Sequence, residues 1–141
     1  MNKEQQKQTS KHWHEAFGTE ALKDSYDNYL HDDFKAEFFN GKQVNKAEYI
    51  KQDQQFAQLL KPNRITVTEQ VAEDDKVVSV MTWEATQVAD MPGIPATSKA
   101  FKINGIAIDY FKDGKVIRHF PLFDQLEMMK QLGVISTPLS H

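Results

Sequence analysis

The dominant hydrophobic period changes from helical to two near Pro62, and that change constrains the fold more than anything else in the sequence. Before it, apolar residues recur at helical spacing. Trp13, Ala16 and Phe17 form one face over His12 to Phe17. Leu22, Tyr26, Tyr29 and Leu30 form another after Gly18 and Thr19, and Tyr49, Phe56, Leu59 and Leu60 a third that opens at Asn45. Asn45-x-x-Glu48 reads as a capping box, and Pro62 cannot continue a helix. Beyond Pro62 the period is two. Strands are predicted at Ile65 to Gln70, Val77 to Val88, Lys99 to Lys112 and Lys115 to Phe123, with a short earlier one at Phe34 to Phe39. Asp113-Gly114 marks a two-residue hairpin, because both residues tolerate positive φ.

Three helices around one short strand, then a meander of long strands, then a last helix before Gly133, describe an α+β fold rather than a βαβ one. The prediction is a curved antiparallel sheet wrapped over helices, with a cavity between the two layers. One domain spans residues 1–141, and its polar start, Met1 to Lys11, is expected to fray.

Composition excludes several classes of function. The net charge of −3 comes from interspersed signs, so nucleic acid is not an expected partner. Cysteine is absent, which removes disulfides and thiolate metal sites. The start lacks the apolar core of a signal peptide, and no apolar run reaches membrane-spanning length, so a soluble cytoplasmic protein is expected. His12-x-His14 is a poor metal pair, since residues two apart on a helix do not share a face.

The candidate site lies at the joint between the last strand and the last helix, where Asp124 follows Phe120, Leu122 and Phe123. Among apolar walls its carboxyl would rise toward neutrality and could work as an acid/base. Asp124-x-x-Glu127 is equally the pattern of a helix N-cap. His119 could pair with Asp124 or orient a substrate. Tyr26, Tyr49 and Trp83 are apolar bodies with a polar tip suited to a pocket wall. In the strand at Lys99 to Lys112, Asn104 lies in one phase and Asp109 in the other, and only one phase faces the cavity.

The ordered set Gly93-Ile94-Pro95-Ala96-Thr97 with Lys99, Asp113-Gly114-Lys115-Val116, Asp124 and Gln131-Leu132-Gly133 resembles the SnoaL-like polyketide cyclases of the nuclear-transport-factor-2-like superfamily. The resemblance runs from about His12 to Ile135. It implies a cone-shaped α+β barrel with a deep apolar pocket, a homodimer, and an aldol cyclisation, isomerisation or dehydration of a small hydrophobic carbonyl compound without metal or cofactor. Asp124 matches the family's aspartate acid/base. Phe120 stands where many members have Trp, and Ala107 where the cyclases tend to place a polar or His side chain, so both are expected beside the ligand. The alternative is a binding protein that holds a small hydrophobic molecule unchanged.

Overall fold

A computed structural model describes residues 1–135; the rest of the expected domain, residues 136–141, lies outside the described residues. Helix α1 runs Lys3–Ala16 and α2 Leu22–Tyr29. Strands β1 Leu30–Glu37 and β2 Gln43–Asn45 follow, then α3 Lys46–Ala57. The long strands are β3 Leu60–Glu73, β4 Lys76–Gln87, β5 Ala100–Lys112 and β6 Lys115–Phe123, and α4 Gln125–Gln131 closes the described chain. The α+β class is as expected.

The N-terminus departs from expectation. It is helical: Asn2 caps α1 through a capping box with Gln5, and the helix begins nine residues ahead of the predicted His12. Its buried residues are Gln6, Ser10, Trp13, His14 and Ala16, three of them polar, and this hid the first turns from an apolar periodicity. Polar groups beside those buried residues tie the helix to the sheet. A register shift in the β3–β4 ladder leaves Thr68 without an opposite residue. The Val67 amide beside it donates to the Glu15 carboxylate at 2.9 Å, and Gln70 Nε2 donates to the Lys7 carbonyl at 2.9 Å.

The six strands form one sheet in the order β2-β1-β6-β5-β4-β3. It curves around the helices without closing, so the expected barrel is an open wrap. Nor is it wholly antiparallel, because β1 runs parallel to β6. The inner phase of β4 carries Val77, Met81, Trp83 and Ala85, and that of β5 carries Phe101, Ile103, Ala107 and Asp109. Position 105, in the same phase, is a glycine, and a Cβ there would overlap the Phe123 ring. The β4–β5 connection is packed rather than free: Met91 and Ile94 are buried, and Gln87 donates to the carbonyls of Ile94 and Ala89 while accepting from Thr97 Oγ1.

The β5–β6 hairpin turns at Asp113 and Gly114, both with positive φ, as expected. Its register then slips. Lys112 faces Lys115 and Phe111 faces Val116, yet Tyr110 faces Arg118, so Ile117 is an extra residue in β6. Past that bulge Asp109 lies directly opposite His119.

Candidate active site

An aromatic cavity of about 270 Å³ lies between the helices and the inner face of the sheet. Trp13 from α1 and Phe17 just after it, Phe56 from α3, and Trp83 and Phe123 from the sheet contribute its aromatic wall. Four titratable side chains also line it, namely His14, Tyr49, Asp53 and His119.

At its base, Asp109 is fully buried and accepts from three side chains. His119 Nδ1 lies 2.7 Å from Oδ1, His14 Nε2 2.7 Å from Oδ2, and Ser10 Oγ donates to Oδ2 at 3.0 Å. Each partner arrives for a local reason. Ser10 and His14 are four apart on α1 and therefore stand one above the other. His119 arrives through the cross-strand pairing that the Ile117 bulge sets. Burial pushes the Asp109 carboxyl up, but the coupling to His14 and His119 and the hydrogen bonds from both outweigh it, holding it well below the usual carboxylate range.

An ionised carboxylate only accepts, so both facing imidazole nitrogens must carry hydrogen. This fixes the tautomer of His119. Its Nδ1–H points at Asp109, and Nε2 keeps the lone pair on a ring that lines the cavity. Burial also pushes the His119 imidazolium pKa down, with Asp109 opposing and His14 adding, so the neutral ring prevails at neutral pH. Trp13 meets the ring edge-on at 4.6 Å between centroids, and Tyr49 at 5.9 Å.

A second polar group sits on α3. Tyr26 Oη donates to Asp53 Oδ2 at 2.7 Å. Burial pushes the Asp53 carboxyl up to about 6, although the Tyr26 hydrogen bond and His14 pull the other way. Burial and the nearby Asp53 carboxylate raise both tyrosines, so Tyr26 and Tyr49 stay neutral phenols.

The donor atoms of His14, Asp109 and His119 lie within 4.8 Å of one another, close enough to hold a metal ion. Each is already spent in a 2.7 Å hydrogen bond, which accounts for the cluster without an ion.

Of the residues singled out in the sequence, Trp83, Tyr49 and His119 line the cavity, and Tyr26 stands behind Asp53. Asp124 does not line it. It is exposed and caps α4, with Oδ1 accepting from the Glu127 amide at 3.1 Å, so no apolar wall surrounds it. His119 therefore pairs with Asp109 and not with Asp124. Phe120 is in the outward phase and stacks on Phe39 at 4.4 Å, Asn104 is exposed beside Thr82, and Ala107 is wholly buried between Ser79 and Pro121 in the ladder. The sequence leaves Asp109 open as one of two strand phases, and it does not single out His14 or Asp53 as a pocket residue. Asp53 carried a legible signal, four residues after Tyr49 and three before Phe56 on the predicted buried side of the helix.

The profile of the SnoaL-like polyketide cyclases matches residues 7–132. The chain belongs to the SnoaL-like polyketide cyclase family. No curated protein matches it in sequence. Among solved structures it resembles TsrD from Streptomyces laurentii, with a TM-score of 0.84 and 24% identity over 96% of this chain and 99% of that one. AclR from Streptomyces galilaeus gives 0.84 at 18% identity over 96% and 100% of the two chains. A protein from Jannaschia sp. CCS1, described as a SnoaL-like polyketide cyclase, gives 0.86 at 16% identity over 95% of each. At these identities the likeness is one of fold. No helix among the described residues is long and apolar enough to cross a membrane.

Proposed function

We propose that this SnoaL-like protein is an enzyme of the cyclase or isomerase type, acting on a small hydrophobic carbonyl compound, with His119 as its general base. The supporting observation is the buried Asp109–His119 pair, which orients a neutral imidazole with its lone pair free in an aromatic cavity. The logic is that of a His–Asp pair in acyl transfer, where the carboxylate fixes tautomer and orientation and steadies the imidazolium that forms. Here the proton comes from carbon beside a carbonyl. No metal or cofactor enters this reading.

The acid/base role passes from Asp124 to His119 because a base must reach the proton it abstracts, and Asp124 is not on the cavity wall. Deuterium uptake from D2O into 2-tetralone, followed by mass spectrometry, tests the reading. The unaltered protein is expected to catalyse uptake, and H119Q to lose at least about hundredfold. Quenching of tryptophan fluorescence by 2-naphthol with no uptake of deuterium would instead mean a binding protein. A cytoplasmic homodimer belongs to the same reading. Ile106 and Leu122, neighbours on the outer sheet face, are exposed and would be covered by a second copy, which sedimentation equilibrium checks.

A further inference from the structure

Removing a proton from carbon leaves negative charge on the carbonyl oxygen, and something in the pocket has to meet it. Among the four titratable groups of the wall, His119 is taken as the base. His14 has committed Nε2–H to Asp109. Tyr49 can offer a hydrogen bond, but a phenol with so high a pKa does not give up its proton. Asp53 remains. It sits on α3 one turn from Tyr49, with Oδ2 held by Tyr26 and with Oδ1 in no hydrogen bond among the described residues.

We infer that Asp53 is a second catalytic residue of this pocket, delivering to the substrate oxygen a proton matching the one that His119 takes from carbon. The inference rests on the proposed enolising function. The step balances without a further reactant. His119 Nε2 takes the proton, and the C–H pair becomes the new C=C bond. The carbonyl π pair moves onto oxygen, which takes the Asp53 carboxyl proton and leaves a carboxylate. The reverse transfers, at the same or a conjugated carbon, restore both groups. Tyr26 is then a positioning residue, holding the carboxyl so that one oxygen faces the ligand.

Two separate groups leave two limbs in the pH profile. The base must be neutral, so activity falls as pH drops through the lowered His119 value. The acid must be protonated, so activity falls as pH rises through the Asp53 value near 6. The titratable groups around Asp53 are His14 on α1, Tyr26 on α2, Tyr49 on α3 and, on the same cavity wall, His119 on β6, with Asp109 on β5 hydrogen-bonded to the two imidazoles.

The test is the pH profile of deuterium uptake into 2-tetralone, 2-indanone and 1,3-cyclohexanedione, for the unaltered protein, D53N, Y26F and H119Q. D53N is expected to lose roughly hundredfold. Y26F removes a hydrogen bond that favours the carboxylate, so its high-pH limb should move upward while the low-pH limb stays. Quenching by 2-naphthol and the melting temperature establish that each variant retains its pocket, and the Y26F limb shift decides if D53N fails to fold. Full activity in D53N, or a shift of the low-pH limb in Y26F, overturns the assignment and leaves His119 standing. Full activity in H119Q, or no uptake of deuterium by the unaltered protein, overturns the enolising reading and Asp53 with it.

Discussion

Asp109→Asn separates the pair's stabilising role from its chemical one. The native carboxylate accepts from His119, His14 and Ser10 and has no contact with water. Asparagine keeps one acceptor oxygen and turns an NH2 toward the other imidazole, placing a donor against a donor. Each hydrogen bond to the charged group contributes about 1.5–3 kcal/mol. Breaking a buried ionic contact from one side costs about 3–5 kcal/mol. A loss near 3 kcal/mol lowers the melting temperature of a chain this size by about 10 °C. Deuterium uptake into 2-tetralone should fall about thousandfold or more, because His119 no longer has its tautomer imposed. The sign with pH follows from the depressed Asp109 carboxyl. Its contribution is whole above the unfolded value of about 3.9, and is lost as pH falls through the lower folded value. The stability gap between the two proteins, read by urea unfolding, should therefore be widest near neutrality and shrink below about pH 4. A variant that melts within about 2 °C of the unaltered protein and retains its rate would refute the account of the pair.

The raised Asp53 carboxyl predicts the opposite effect at its own position. The folded state holds that proton where the unfolded chain has released it, so ionisation costs stability as pH climbs from about 4 through 6. D53N should be about 1–3 kcal/mol more stable at pH 7, with the difference gone near pH 4, as measured by urea unfolding across that range. At the α4 cap, Asp124→Ala should cost about 1 kcal/mol and Asp124→Asn almost nothing. Neither should change deuterium uptake, and a large loss of rate with Asn would return Asp124 to the chemistry.

The change of period near Pro62 made the layer order legible, and Asp113-Gly114 located the hairpin. The buried polar stripe of α1 did not announce itself, since Gln6, Ser10 and His14 look like surface residues until Asp109 is there to receive two of them. On β5 both phases carry apolar side chains, Ile106 and Ile108 in one and Ile103 and Ala107 in the other, so alternation could not decide that Asp109 points inward. Asp124 drew attention through its aromatic neighbours in sequence. A strand sends those neighbours to both faces, and only Phe123 and Pro121 reach the cavity. His119 was visible as a residue type but not as a partner, because its place opposite Asp109 depends on one unpaired residue two positions earlier.

That residue, Ile117, separates distance along the chain from adjacency in space. Counted outward from the turn with no slip, Asp109 would meet Arg118, and a guanidinium offers no lone pair. A sequence pattern with fixed spacing on either side of the Asp-Gly turn would record an ion pair here and pass over the base. The kink also gives the hairpin a place to absorb a length change. A relative lacking one residue at this point could form the same His–Asp pair on a regular ladder. In an alignment the gap belongs at Ile117, and placing it elsewhere would assign the histidine to the wrong face of the sheet.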